Sequence, residues 1–127
     1  MKRFILIDDD DIICIVHPAL IQHTFPGCSI EIIQSSLEAI EYINEMAKMN
    51  EPSPDAVFLD INLPQLNGFD LLQQLSEAGR KWLMQTRIYM LSASIDERDM
   101  ERVKEIPLIH SFVGKPLTVE FLKEIFD

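Results

Sequence analysis

Basic residues are scarce in this chain: 11 Lys and Arg stand against 21 Asp and Glu, which leaves a formal net charge of −10 and a pI near 4.6. A surface of that sign repels nucleic-acid phosphates and anionic lipid, so the expected partners are proteins or small ligands, with no nucleic acid and no membrane. Cysteine is scarce too. Cys14 and Cys28 lie in apolar stretches with no CxxC or Cys/His spacing, which argues against a metal knuckle or a disulfide framework and reads as two buried thiols in a reducing compartment. Long hydrophobic runs are missing: in MKRFILIDDDD only four apolar residues precede the acids, too few for a signal peptide or a membrane span, and the expected location is the cytoplasm. There is no repeat, low-complexity tract or linker, and Glu51-Pro52-Ser53-Pro54 and Pro64 punctuate single loops. A chain of 127 residues of this kind makes one domain that buries about two-thirds of its unfolded surface.

What is present is a regular alternation. Phe4 to Ile7, Ile30 to Ile33, Ala56 to Leu59, Ile88 to Leu91 and Phe112-Val113 are short β-prone runs. Between and after them, apolar residues recur at helical spacing: Ile40, Ile43 and Ala47; Leu71, Leu72 and Leu75; Met100, Val103 and Ile106; Phe121, Leu122, Ile125 and Phe126. Ser35 with Glu38 and Ser94 with Glu97 have the capping-box spacing, and Thr118 precedes the last helix. Five β-α units with strands apolar on both faces predict a parallel sheet covered on both sides, with right-handed crossovers. The first helix is the irregular one. Ile12 to Val16 is apolar all round, so it is either deeply buried or partly turned to a partner, and Pro18 removes the N–H that would bond back to the Cys14 carbonyl, which predicts a kink there.

The chemistry gathers at strand ends. The first strand runs into Asp8, Asp9, Asp10 and Asp11, the third into Asp60, the fourth into Ser92, and Lys115-Pro116 follows the fifth. Open α/β sheets bind ligands beyond the carboxyl ends of their strands, where the strand order reverses. Two carboxylates about 4 Å apart repel by roughly 4 kcal/mol at an effective dielectric near 20. A hard divalent cation relieves that repulsion, and Mg²⁺ commonly binds through one or two carboxylates plus phosphate oxygens. Lys115 adds a second positive charge suited to a phosphoryl group.

With ILIDD, FLDINLPQLNG, LSA and GKP in this order on five βα units, the chain from Phe4 to Phe126 resembles the receiver domains of bacterial two-component response regulators. The resemblance implies a flavodoxin-like (βα)5 fold, a doubly wound parallel sheet in the order 2-1-3-4-5, as a single domain over residues 1–127. It implies that Asp60 accepts a phosphoryl group from a phosphohistidine of a histidine kinase or histidine phosphotransfer protein. Asp9, Asp60 and the Asn62 backbone carbonyl are then the Mg²⁺ ligands, with Asp8 holding a metal-bound water. Ser92 donates its hydroxyl to a phosphoryl oxygen and Lys115 pairs with another. Phe112 occupies the aromatic switch position, where Tyr is frequent; Asn62 and Ser94 flank the phosphate, and the peptide before Pro116 is often cis. With no residues after Phe126 for an effector, a stand-alone regulator acting on a downstream protein target is expected. It is not an enzyme in the usual sense, since it catalyses only its own phosphorylation and dephosphorylation.

Plainer readings stand beside these. Asp10 and Asp11 suit an acidic helix start, His17, His23 and His110 have no metal spacing and read as surface or half-buried groups, and Trp82-Leu83-Met84 reads as packing in the connection before strand four. Ile12, Ile13 and Ile15 are candidates for partner docking as well as for burial. Two rival functions remain: a phosphorylation-independent receiver-like binding module, and a haloacid-dehalogenase-like phosphatase, whose nucleophile would follow the first strand with a second Asp two positions on. No Ser/Thr/Gly-rich loop follows strand one to cradle an FMN phosphate.

Overall fold

The computed structural model describes residues 1–126. Five strands, β1 (Arg3–Ile7), β2 (Ser29–Ile33), β3 (Ala56–Asp60), β4 (Arg87–Ser92) and β5 (Ile109–Gly114), form one parallel sheet in the order β2-β1-β3-β4-β5. The helices are α1 (Ile13–Thr24), α2 (Ser36–Lys48), α3 (Gly68–Gln74), α4 (Glu77–Trp82), α5 (Glu97–Lys104) and α6 (Val119–Ile125). This is the expected flavodoxin-like doubly wound arrangement. The alternating faces of the three inner strands explain the two cores. Ile5, Ile7, Val57, Leu59, Ile88 and Met90 pack with α2, α3 and Leu83 on one side, while Phe4, Leu6, Phe58, Tyr89 and Leu91 pack with Ile21, Leu117 and Leu122 on the other. All of β3 is buried, so its last residue, Asp60, is carried to the rim of the sheet by a strand with no freedom to slip.

Several expectations are corrected. The third helical stretch is two helices, because Leu75 is extended (φ −64°, ψ 147°) and Ser76 restarts the chain as N-cap, accepting the Gly79 amide at 3.0 Å. Trp82 therefore ends a helix rather than lying in a connection; it is half-buried, Leu83 is buried and Met84 is exposed. Asp96, not Ser94, caps α5 through the Arg98 amide, since its short carboxylate sits at the helix mouth. Met100 is exposed, and Ile106 lies beyond the helix end. β5 begins at Ile109, earlier than Phe112, since Ile109 and Ser111 pair with Ile88 and Tyr89 of β4 and carry His110 between them at a shift in register, whatever their propensity. β2 is an edge strand with only Ile33 buried. Ser35 and Thr118 do cap α2 and α6. α1 runs unbroken through Pro18. Cys14 and Cys28 are free but half-buried rather than buried. Among the described residues no helix is long and apolar enough to cross a membrane.

Candidate functional site

Parallel pairing of β1 with β3 aligns Ile7 with Leu59, so the next residues, Asp8 and Asp60, emerge side by side at the carboxyl rim. Asp8 is fully buried and Asp60 is 3 % exposed. Asp9 is exposed. One carboxylate oxygen from each of Asp8, Asp9 and Asp60 lies within 4.8 Å of the other two. Lys115, which follows β5, reaches across the sheet edge: its Nζ donates to Asp8 Oδ2 at 3.0 Å and stands 3.4 Å from Asp60 Oδ2. Three carboxylates against one ammonium leave two negative charges uncompensated when all are ionised.

Local hydrogen bonds hold these groups in place. Asp8 Oδ1 accepts the Asp10 amide at 3.0 Å, and Asp60 Oδ1 accepts the Asn62 amide at 3.2 Å. Burial raises the Asp60 pKa above the ordinary carboxylate value, the Asp8 charge adds to this, and Lys115 and the Asn62 amide oppose it without cancelling it. For Lys115 burial alone favours the neutral amine, but its bonds to Asp8 and Asp60 outweigh burial and raise its pKa. The exposed Asn62 lies two residues past Asp60. The Ser92 hydroxyl, buried at the end of β4, donates to the Ser94 carbonyl at 2.5 Å and accepts the Ser94 amide at 3.3 Å. Phe112 is half-buried against the core.

The loop after Asp60 turns sharply. Gln65 sits in the left-handed region (φ +71°), and the Gly68 amide bonds to the Ile61 carbonyl at 2.9 Å. A Cβ on Gly68 would lie 2.9 Å from the Asp60 carbonyl oxygen, so only glycine fits this approach. Ser36, buried at the start of α2, donates to the Pro64 carbonyl and accepts the Leu66 amide. Nothing in the local sequence marks Ser36 for that role. Asp10 is a helix-start acid as expected, accepting the Ile12 and Ile13 amides, whereas Asp11 accepts from Gln34 Nε2 at 2.8 Å. Along α1, Ile12 and Ile15 are 70 % and 71 % exposed and Ile13 is half-buried; the all-apolar stretch is therefore not a buried one.

One histidine contradicts its sequence reading. His17 is neither surface nor half-buried but fully buried, and its Nε2 accepts the Leu117 amide at 3.0 Å. The Lys115–Pro116 peptide is cis.

Comparison with known proteins adds identity to this geometry. The sequence pattern of the response regulator receiver domain matches residues 4–127. The crystal structure of a two-component response regulator from Cytophaga hutchinsonii superposes with a TM-score of 0.85 at 28 % identity, covering 99 % of this chain and 94 % of that one. "Hybrid signal transduction histidine kinase L" of Dictyostelium discoideum is 26 % identical over 98 % of this chain, which spans 7 % of that protein. "Stress response regulator protein 1" of Meyerozyma guilliermondii is 24 % identical over 94 % of this chain, which spans 51 % of it. The chain thus spans about half or less of these two relatives' lengths. With the acid triad and the lysine on the switch-point rim of a 2-1-3-4-5 sheet, and the family pattern running over nearly every residue, this chain belongs to the response regulator receiver domain family.

Proposed function

We propose that residues 1–127 act as one cytoplasmic receiver that takes a phosphoryl group onto Asp60 from the phosphohistidine of a histidine kinase or histidine phosphotransfer protein, and that a downstream protein target reads the modified surface. The observation that carries this reading is the convergence of Asp8, Asp9 and Asp60 within 4.8 Å, with the Lys115 ammonium 3.4 Å from Asp60. In the transfer, an Asp60 carboxylate oxygen attacks phosphorus. The new P–O bond forms as the P–N bond to imidazole breaks, and the departing nitrogen keeps the electron pair and takes up a proton. Lys115 exchanges its bond to Asp60 for one to a phosphoryl oxygen. Ser92 gives up the Ser94 carbonyl and donates to another.

The donor set fits Mg²⁺: every candidate ligand is oxygen, and the rim carries charge that one divalent ion offsets. Asp9, Asp60 and the Asn62 backbone carbonyl would hold the ion, and Asp8 a water bound to it. When bound, Mg²⁺ supplies positive charge against the oxygens of the transferring phosphoryl group. Withdrawal of Ser92 from Ser94 frees the β4–α5 loop, Phe112 turns inward, and the surface of α5, β5 and α6 changes. Exposed Ile12 and Ile15 on α1, beside the acids, support docking of the phosphohistidine partner there.

The test is phosphotransfer from a panel of the host's kinases, and from acetyl phosphate, with Mg²⁺. Wild type is expected to take up one base-labile phosphate and Asp60→Ala none. Labelling of Asp60→Ala, or a wild type inert to every donor, overturns the proposal and favours a binding module that takes no phosphate.

A further inference from the structure

We propose that His17 is a positioning residue for Lys115: from α1, its imidazole accepts the Leu117 amide and so holds the loop that aims the lysine ammonium at Asp60. The inference rests on the phosphoacceptor reading for its consequence in rate, and on contacts for its geometry.

The backbone donors around Lys115 are distributed in an informative way. The Lys115 amide donates to the Ser92 carbonyl at 2.8 Å, pinning the loop to β4. Pro116 has no N–H to give. The next donor is the Leu117 amide, and it goes to His17 Nε2 at 3.0 Å, a partner 100 positions away in sequence. Lys115 is thus clamped on its two sides by different elements, the end of β4 and the middle of α1. Gly114, on the upstream side, is exposed but is the last residue of β5 and pairs with Ser92 of β4, so the sheet holds that flank. The downstream clamp completes the hold on the lysine backbone, and the side chain's Nζ ends 3.0 Å from Asp8 and 3.4 Å from Asp60.

The state of the imidazole supports a bonding role rather than a packing one. Accepting at Nε2 requires the neutral ring with its proton on Nδ1. That Nδ1–H is buried and finds no hydrogen-bond partner among the described residues. Buried polar groups without partners are unfavourable, so a leucine in this apolar setting would pack without that penalty. The acceptor atom is what the histidine offers and leucine does not. Burial also drives the His17 pKa below the ordinary histidine value, with Asp8 opposing and Lys115 assisting, which keeps Nε2 available as an acceptor.

The test compares wild type with His17→Leu, His17→Phe and His17→Gln. Leu and Phe remove the acceptor, and either one that folds can be read; Gln restores a carbonyl oxygen at similar reach. Acetyl phosphate serves as donor, because a small donor needs no docking on α1. At saturating donor, the acceptor-less variants are expected to label Asp60 about tenfold or more slowly, the scale expected when a catalytic group is misplaced by a fraction of an ångström to an ångström. His17→Gln should recover most of the rate. In parallel, the Leu117 amide should lose hydrogen-exchange protection and the Lys115 ζ resonance should shift in the acceptor-less variants and return in Gln. Wild-type labelling rates in His17→Leu or His17→Phe, or a His17→Gln as slow as either, overturn the proposal. An unlabelled wild type overturns the phosphoacceptor reading and the rate claim with it, while shifted Leu117 and Lys115 signals would still uphold the positioning, so the two failures are told apart.

Discussion

Asp60 carries a conflict that the rest of the rim is arranged around. Burial and the neighbouring Asp8 charge raise its pKa, and Lys115 only partly compensates. An acid whose pKa is higher in the folded than in the unfolded state is bound by an extra proton on folding, so stability declines as pH rises from the unfolded value of about 3.8–3.9 through the folded one. Above that window the metal-free protein carries an ionised Asp60 at a cost in stability. Asp60→Asn is therefore expected to raise the melting temperature in EDTA at pH 7 by about 4 °C, near 1 kcal/mol for a domain of this size. The gain should shrink to nothing toward pH 3.5. Equal melting curves at pH 7, or a gain that grows on acidification, would contradict the charge assignment. Asp60 was legible in the sequence because a buried strand that ends on an acid, followed by Pro64 and Gly68, has few structural explanations. His17 was not legible. A lone histidine in an apolar helix has no partner within reach of local pattern, and its partner is on a loop at the other end of the chain.

At the scale of elements, the turn after β3 and the break between α3 and α4 respond to different forces. A methyl group on Gly68 would press on the Asp60 carbonyl oxygen at 2.9 Å and on Met90 Cε at 3.0 Å. The backbone contact has no rotamer to escape into, so Gly68→Ala should destabilise by about 1–3 kcal/mol, the usual scale of overpacking, as read by urea denaturation. It should also slow Asp60 labelling, because the strain falls on the acceptor's own peptide; an unchanged rate would detach this turn from the site. The α3–α4 break depends on Ser76, which caps α4 while its N–H and hydroxyl both meet Asn44 Oδ1 at 3.0 Å. Ser76→Ala should cost about 1 kcal/mol with labelling untouched, since α4 lies away from the rim; a parallel loss of labelling would show the two to be coupled. The helical spacing of Leu71, Leu72 and Leu75 was readable, and all three are buried. The break was not, because apolar period continues through it and only Asn44 on a different helix rewards the interruption. Ser94 and Asp96 show the same limit. Both are good caps, and the path of the loop out of β4 selects between them.

For the whole molecule, the net charge of −10 matters most where the fold concentrates it. The order β2-β1-β3-β4-β5 gathers acids from two strands that are distant in sequence, so a cation that binds this rim binds only the folded chain. Mg²⁺ at 100 times its dissociation constant should therefore stabilise by about 2.7 kcal/mol, seen as a rise in melting temperature. Asp9→Asn should blunt that rise while leaving the metal-free melting temperature nearly unchanged, because Asp9 is exposed. Superimposed curves with and without Mg²⁺ would remove the ion from the site.

The alternation of strands and helices, the acids at the ends of β1 and β3, and the caps at Ser35 and Thr118 follow from the sequence by itself, because periodicity, propensity and capping act over a few residues. The motifs in their order carried the family and, with it, the strand order. Contacts between distant segments were settled by tertiary structure alone. Lys115 meets Asp8 across 107 positions, His17 meets Leu117 across 100, and Ser36 holds the Pro64 turn across 28. Each pairing depends on which faces the packed sheet and helices bring together, and a polar side chain shows its partner only when burial has removed water as the alternative.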